Sequence, residues 1–226
     1  MRSRNAMKII LNLCCVLVFS QAHAGLIDKD GMQEWEVCAL CHSLDGISRM
    51  AKFPKLAGQN SQYIAKQFYD FHQARRTNDG GQMEAITTEV DLSRVAEIAD
   101  YFSQLPPPPA KQLEKDPDSL ARFSSGENIF YTGLDSVPAC ASCHGQATTS
   151  SSDKKVMGLG ILNPSAPWLF GQHEDYLVKQ LIDFRSEERS NDASNAMHRI
   201  AKELDIESIR SVAFYLARIQ PRKAIN

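Results

Sequence analysis

The sequence has few cysteines to spare, little excess of charge and no long apolar run. Of its six cysteines, two lie near the N-terminus and four lie in two short motifs, so none is left over for the disulfides common in exported proteins. The formal net charge of −2, without a basic, aromatic-rich stretch, makes nucleic-acid binding a poor candidate function. The apolar run near the N-terminus is too short to span a bilayer comfortably. Alternation of apolar and polar residues is also lacking, which disfavours strands.

The N-terminal residues have the pattern of an export signal. Three basic residues precede an apolar run over residues 9–19, and they are Arg2, Arg4 and Lys8. Ala22-His23-Ala24 then supplies the small-x-small pattern of a cleavage site. We therefore predict a signal peptide over residues 1–24, cleaved on export, and a periplasmic location. The alternatives are an uncleaved anchor and a lipid on Cys14, which the bulky Leu13 before it disfavours.

Two complete C-x-x-C-H motifs are the most informative feature of the chain. They are Cys38-Ala-Leu-Cys41-His42 and Cys140-Ala-Ser-Cys143-His144. This motif is the attachment signature of a c-type haem: the two thiols form thioethers with the haem vinyl groups, and the adjacent histidine is the proximal iron ligand. We predict two covalently bound haem c groups, one on each motif.

Zinc is the competing interpretation of two C-x-x-C pairs, because such pairs also build zinc ribbons. The two pairs lie roughly one hundred residues apart, which exceeds ordinary ribbon spacing. A zinc site also gives no reason for a histidine after each pair. The pattern therefore favours haem.

The second half of the chain repeats the first, which indicates a duplicated domain. Three segments recur: Pro54–Gln59 as Pro167–Gln172, Tyr63–Phe71 as Tyr176–Phe184, and Arg76–Asp79 as Arg189–Asp192. After one residue of slip, Met83 corresponds to Met197. Four consecutive prolines from Pro106 separate the halves and favour an extended spacer.

We predict domains over residues 25–105 and 118–226, joined by a proline-rich linker over 106–117. Helical periodicity predicts an all-α fold, with helices over 28–41, 63–71, 93–105, 124–131 and 205–219. Ser61 is the predicted N-cap of the second helix. Each half is small for an independent core, so we expect folding to depend on the buried haem.

These features resemble class I cytochromes c in tandem, most closely the di-haem cytochrome c4 family. The C-x-x-C-H motifs, the P-x-L-x-G-Q turns, the Tyr-x-x-x-Gln helices, the Arg-x-Asn-Asp segments and the methionines after them carry the resemblance. It covers nearly all of the mature chain and implies a periplasmic protein with two haem domains that carries electrons toward a terminal oxidase. Two departures concern loops. Residues 146–165 are longer than their first-half equivalent, and Gly80-Gly81-Gln82 stands where the family often has proline and a further methionine.

A methionine sulfur is the expected sixth iron ligand in each domain. Met83 is the candidate in the first half, because Met50 follows the first motif too closely for the chain to pass over the haem. Met197 occupies the equivalent repeat position. Met157 lies in the longer stretch, and His198 is an alternative ligand beside Met197.

The resemblance also implies that Pro54 and Pro167 each supply a backbone carbonyl that anchors the remaining ring N–H of the proximal histidine. A simple turn role is the alternative for both prolines. Five aromatic side chains are candidates for haem-pocket walls or for general helix packing: Trp168, Phe71, Phe184, Tyr63 and Tyr176.

Six-coordinate iron in both domains leaves no open position for a substrate, so we expect an electron carrier and not an enzyme. The expected partners are redox proteins, namely a membrane electron-donor complex and a terminal oxidase. No small-molecule substrate is expected, and peripheral membrane association is compatible with this role. The alternative is the haem subunit of a periplasmic oxidoreductase, such as a sulfur-compound dehydrogenase or a di-haem peroxidase. The sequence offers no clear acid–base constellation to support it.

Charge is divided unequally between the halves of the mature chain. Residues 25–109 carry a net charge of −4 and residues 110–226 a net charge of −1. This asymmetry motivates the hypothesis that the two halves face different partners, against the alternative of an ordinary acidic surface.

Overall fold

The structure is a computed structural model that describes residues 25, 27–145 and 166–220. Its helices are α1 Glu34–His42, α2 Ser61–His72, α3 Gln82–Thr87, α4 Val95–Gln104, α5 Pro117–Thr132, α6 Ala141–His144, α7 Glu174–Arg185, α8 Ala196–Lys202 and α9 Ile206–Arg218. Among these described residues there is no strand, only an isolated bridge between Leu134 and Val137. The all-α prediction is confirmed. The predicted signal peptide and the 146–165 stretch with Met157 lie outside the described residues.

Several helix starts differ from the sequence-based predictions: α4 begins at Val95, after a 3-10 turn, and α5 begins as early as Pro117. Helix α1 begins at Glu34 rather than at Asp28, because Gly31 adopts a φ of 73° that a helix does not accommodate. The N-cap of α2 is Asn60 rather than Ser61: the Asn60 side chain accepts hydrogen bonds from the N–H groups of Gln62 and Tyr63, at 2.9 and 3.3 Å. Asparagine is among the strongest caps, because its side-chain oxygen satisfies N–H groups that lack a partner within the helix.

Each half of the chain builds a core of its own. The first core packs α1, α2 and α4 around Val37, Phe68, Val90, Val95, Ile98 and Phe102. The second core is larger and consists of Ile129, Phe130, Val137, Ala141, Phe170, Leu177, Leu204, Ile209, Val212, Ala213, Tyr215 and Leu216. Its centre is the contact between α5 and α9, where Gly126 lies against the backbone of Ser211 so closely that a Cβ at Gly126 would lie 2.1 Å from the Ser211 carbonyl oxygen.

The two halves contact each other through the repeated P-x-L-x-G-Q segments. The Gln59 side chain pairs with the backbone of Trp168: its Nε2 donates to Trp168 O and its Oε1 accepts from Trp168 N–H, both at 2.9 Å. The Gln172 side chain pairs in the same way with the backbone of Lys55, at 3.0 and 2.9 Å. The contact is therefore nearly two-fold symmetric, with each half presenting the same residue to the other.

Two buried arginines extend this symmetric contact, which we call the domain interface. Arg76 donates to Gln67 of its own domain at 2.7 Å and to Gln180 of the other at 2.8 Å. Arg189 donates to Gln180 and Gln67 at 2.8 and 3.2 Å. Each guanidinium also donates to a tyrosine hydroxyl across the interface: Arg76 to Tyr176 at 3.1 Å, and Arg189 to Tyr63 at 3.0 Å. The interface is polar and hydrogen-bonded throughout this region.

The segment between α4 and α5 is held against both domains. Gly58 has a φ of 69°, and a Cβ at this position would lie 3.1 Å from Pro107 Cα. Further along, Lys111 N–H donates to Ala217 O at 2.9 Å, next to the end of α9. The proline-rich segment therefore follows the domain interface closely.

Candidate haem-binding sites

The first C-x-x-C-H motif ends α1, with His42 as the last helical residue. The His42 side chain is buried, with 5% of its surface exposed, and its Nδ1 lies 2.8 Å from Pro54 O. The intervening loop folds back because Gly46 O accepts from the N–H groups of Leu56 and Ala57, at 2.8 and 3.1 Å. This turn brings the proline carbonyl to the imidazole.

The second motif has the same contact on a different scaffold. Helix α5 ends at Thr132, and the motif lies on the separate one-turn helix α6. His144 is buried, and its Nδ1 lies 2.9 Å from Pro167 O. The structure therefore brings together each predicted histidine with its predicted proline.

These contacts determine which imidazole nitrogen carries the proton. A carbonyl oxygen only accepts, so Nδ1 of His42 and His144 is the donor and Nε2 keeps its lone pair. Burial lowers the pKa of both imidazoles, against the opposing effect of the proline carbonyls. Neutral histidines with Nε2 available suit iron ligation. The cysteine directly before each histidine and the one a helical turn earlier suit thioether attachment.

The thiols are not arranged as a zinc site. Burial is the main effect that raises the pKa of the Cys38 thiol to about 12 and that of Cys140 to about 11, so both thiols are neutral. Across the described ranges, no group of three or more histidine, cysteine, aspartate or glutamate side chains is arranged to hold a metal ion. The residues fit haem better than zinc.

The candidate methionines start short helices in the same way. Met83 N–H donates to Asp79 Oδ2, and Met197 N–H donates to Asp192 Oδ2, both at 2.6 Å. Both methionines are half-buried. The repeated aspartate of the Arg-x-Asn-Asp segment therefore fixes the backbone of the methionine in each domain.

His198 is engaged elsewhere. Its Nδ1 lies 2.8 Å from Phe184 O and its Nε2 lies 3.3 Å from Glu187 Oε1. Because both ring nitrogens have partners, this geometry favours Met197 over His198 as an iron ligand.

Sequence reasoning missed the domain interface. Tyr63 and Tyr176, which were candidates for haem-pocket walls, place their hydroxyls on the arginines of the opposite domain. Phe71 and Phe184 are buried beneath the guanidinium groups of Arg76 and Arg189, at 4.5 and 4.4 Å from the ring centres. The available signal was that polar residues recur identically in both halves, which a haem pocket alone does not require.

Comparison with known proteins assigns the family. No protein-family model matches the chain. The chain is 33% identical over 216 residues to cytochrome c4 of Pseudomonas aeruginosa, which covers 92% of this chain and 97% of that protein. It is 30% identical over 185 residues to the thiosulfate dehydrogenase electron acceptor of Stutzerimonas stutzeri, covering 80% and 78%.

A solved structure agrees with these sequence relatives. Reduced cytochrome c4 from Pseudomonas stutzeri superimposes with a TM-score of 0.68 at 29% identity, covering 87% of this chain and 100% of that one. The duplicated helical domains, each with a C-x-x-C-H motif, are thus matched over nearly the whole relative. The chain belongs to the cytochrome c4 family and is a di-haem c-type electron-transfer cytochrome with two covalently bound haem c groups.

Proposed function

We propose that this protein is a periplasmic carrier that moves electrons one at a time between respiratory-chain partners. In this proposal Cys38 and Cys41 hold one haem by thioether bonds, and Cys140 and Cys143 hold the other. The paired histidine–proline contacts carry the assignment, since both leave Nε2 unprotonated in a buried position.

The axial ligands that we propose are His42 with Met83 in the first domain and His144 with Met197 in the second. The haem supplies the one-electron chemistry when bound. The protein fixes the imidazoles through Pro54 and Pro167 and fixes the methionine backbones through the two aspartates. Full coordination by these residues supports a carrier and not an enzyme, because no iron position is left for a substrate.

The domain interface supports transfer within one molecule. Hydrogen bonds cross it both at the P-x-L-x-G-Q segments and at the two arginines, so both domains are held in one arrangement. A carrier with two fixed haem domains stores two electrons and exchanges them internally before it meets a partner.

The location and partners form part of the same proposal. The N-terminal pattern supports export, and none of the described helices combines the length and apolarity needed to cross a bilayer. Leu40, Leu44 and Met50 near the first motif are more than half exposed, with 63%, 56% and 53% of their surfaces accessible. We propose that a membrane electron-donor complex and a terminal oxidase are the partners, with transient contacts and peripheral membrane association.

A second candidate function follows from one relative. The Stutzerimonas stutzeri protein is named a thiosulfate dehydrogenase electron acceptor. In this second proposal the chain is the haem subunit or electron acceptor of a sulfur-compound dehydrogenase. Its two domains carry electrons, and the dehydrogenase performs the catalysis.

Two measurements test the proposal. Intact mass and haem staining of the purified protein should show two covalent haems on a chain that starts near Gly25; zinc without covalent haem would end the haem assignment. In stopped-flow experiments, a terminal oxidase should oxidise the reduced protein rapidly, with no added substrate and with a rate that depends on ionic strength. Fast reduction by a thiosulfate dehydrogenase and slow oxidation by the oxidase would favour the second candidate, whereas peroxide or thiosulfate turnover by the isolated protein would make it an enzyme.

A further inference from the structure

One peptide group in the first domain is hydrogen-bonded at both ends. The carbonyl of the Pro54–Lys55 peptide accepts from His42 Nδ1–H at 2.8 Å. The N–H of the same peptide donates to Gln172 Oε1 at 2.9 Å. We call this group the first bridging peptide, because it connects the proximal histidine of one domain to a glutamine of the other.

The second domain contains the same chain of bonds in reverse. The carbonyl of the Pro167–Trp168 peptide accepts from His144 Nδ1–H at 2.9 Å. The N–H of that peptide, the second bridging peptide, donates to Gln59 Oε1 at 2.9 Å. Each histidine is therefore connected to a glutamine that belongs to the opposite domain.

The side chains of Gln59 and Gln172 are oriented so that the amide oxygen Oε1, and not the nitrogen Nε2, contacts the N–H of each bridging peptide. Gln59 and Gln172 are both buried, with 8% of each exposed. Each Oε1 also accepts from a neighbouring backbone N–H, that of Asn60 at 2.9 Å and that of His173 at 3.0 Å. Each Nε2 donates to the carbonyl that follows the bridging peptide. Three backbone groups thus fix the amide orientation of each glutamine.

Hydrogen bonds in series strengthen one another. When Oε1 accepts from the peptide N–H, the peptide becomes more polarised and its carbonyl oxygen becomes a better acceptor for the imidazole. A stronger bond at Nδ1–H raises the basicity of Nε2. A more basic ligand stabilises the oxidised, more positive iron and so lowers its reduction potential.

We propose that each glutamine is a positioning residue for the haem of the other domain: Gln172 lowers the potential of the haem held by His42, and Gln59 lowers the potential of the haem held by His144. The inference rests on the axial roles proposed above for the two histidines. It goes beyond them, because it makes the domain interface part of the electronic surroundings of both irons.

The decisive variant is Gln172→Leu in the full-length protein with both haems bound. Leucine keeps the size of the side chain and removes the acceptor. The potential of the His42 haem should rise, shifting the equilibrium for electron exchange between the haems about twofold toward that haem, because polarisation through the peptide changes the strength of the His42–Pro54 bond by about 10–30%. NMR of the fully reduced protein should show the His42 Nδ1–H resonance moving to higher field while that of His144 stays in place. Gln59→Leu should give the reciprocal result.

Asn78→Ala is the matched control. Asn78 Nδ2 donates across the interface to Gln180 at 3.1 Å, without contact to either bridging peptide. This variant should leave both histidine resonances and the electron distribution in place. If Gln172→Leu acts like Asn78→Ala, or moves both haems equally, or moves the His144 haem instead, the inference is wrong.

A second variant tests the inference if the Gln172→Leu protein does not fold with both haems bound. Gln172→Glu gives the Lys55 N–H a carboxylate oxygen, a stronger acceptor than the amide oxygen, so the His42 Nδ1–H resonance should move to lower field and the His144 resonance should not. Equal displacement of both would overturn the inference. Failure of the axial assignment is distinguishable, because His42→Ala would then leave the wild-type haem spectrum unchanged whatever the glutamine variants do.

Discussion

The two domains hold their candidate methionine ligands in loops of different construction. In the first domain both carboxylate oxygens of Asp79 are used, since Oδ1 accepts from Gly81 N–H at 3.1 Å and Oδ2 from Met83 N–H at 2.6 Å. In the second domain Asp192 Oδ2 accepts from Met197 N–H, but Asp192 Oδ1 is buried and has no hydrogen-bond partner among the described residues. The second methionine is anchored by fewer bonds.

The backbone of the two loops differs as well. The first loop passes through the left-handed region at Gly80 and Gly81, with φ of 75° and 81°. The second loop is one residue longer and uses Ser194 and Asn195 there, with φ of 59° and 52°. A left-handed conformation costs a non-glycine residue about 1 to 2 kcal/mol, less for asparagine, while ordering each glycine costs roughly 0.5 to 1 kcal/mol of extra entropy. These effects nearly cancel, so the buried unpaired oxygen, at about 1 to 3 kcal/mol, decides in favour of the first loop.

The hydrophobic core, in contrast to the methionine loop, is larger in the second domain than in the first. The second domain buries Phe130, Phe170 and Tyr215 in an aromatic cluster between α5 and α9. The first domain has a smaller protein core and depends more on its haem for apolar mass. The comparison teaches that a tight ligand loop and a large core are separate properties, and that each domain has only one of them.

The largest expected difference follows removal of the thioether cysteines. Cys38→Ala with Cys41→Ala should unfold the first domain, because its core is too small without the haem. Cys140→Ala with Cys143→Ala should leave α5 and α9 packed in the second domain. Hydrogen exchange and circular dichroism measure this, and equal loss of structure in both variants would contradict the comparison of cores.

The next effect concerns the methionines themselves. Met83→Ala and Met197→Ala should each remove about half of the methionine–iron charge-transfer absorbance of the oxidised protein and lower one of two potentials. Redox titration with visible spectra gives both quantities. Wild-type spectra in both variants would show that the methionine assignment is wrong.

Ligand exchange sharpens the comparison of loops. Imidazole should displace Met197 at a concentration about tenfold lower than Met83, the ratio expected for one unpaired buried acceptor. Replacing residues 193–196 by Gly-Gly-Gln should abolish imidazole binding at the lower concentration. Replacing residues 80–82 by Ala-Ser-Asn-Ala should make the first domain bind imidazole at that lower concentration. If both irons bind imidazole over one concentration range that neither loop exchange alters, the two loops are equivalent.

The smallest effect concerns acid stability at the interface. Burial disfavours the charged form of Asp70, but hydrogen bonds from Lys66 and Asn191 outweigh it and lower the pKa of this carboxyl. The stability that this carboxylate contributes should be complete above its unfolded pKa of about 4 and lost as pH falls through the lower folded pKa. Asp70→Asn should remove that pH dependence from thermal unfolding curves, and an unchanged acid slope would contradict this role.

Much of the architecture was readable from the sequence. Helical periodicity predicted the all-α class. The C-x-x-C-H motifs, the prolines and the repeat predicted the family, because attachment chemistry fixes residue types at fixed spacing. The exact starts of α1 and α2 were wrong, since Gly31 and Asn60 act through backbone geometry that periodicity does not report.

The domain interface could not be read from the repeat alone. Gln59, Gln67 and Arg76 recur identically, whereas Ala57 becomes Phe170 at an equivalent core position. Identical polar residues suggested a family motif, but a sequence does not say which two faces meet. Only the structure shows that Gln59 pairs with Trp168 across the interface, just as Gln172 pairs with Lys55.

The symmetry of the domain interface gives the proline-rich segment its importance. Because each domain presents the same hydrogen-bonding face, that face is complementary to a copy of itself on another molecule. Effective concentration selects the correct pairing. The proline-rich segment is a short tether, hydrogen-bonded at Lys111 to Ala217, and it keeps the second domain beside the first at an effective concentration that no neighbouring molecule reaches. The tether therefore supplies the specificity of this interface, because its hydrogen-bonding faces do not distinguish the same molecule from another copy.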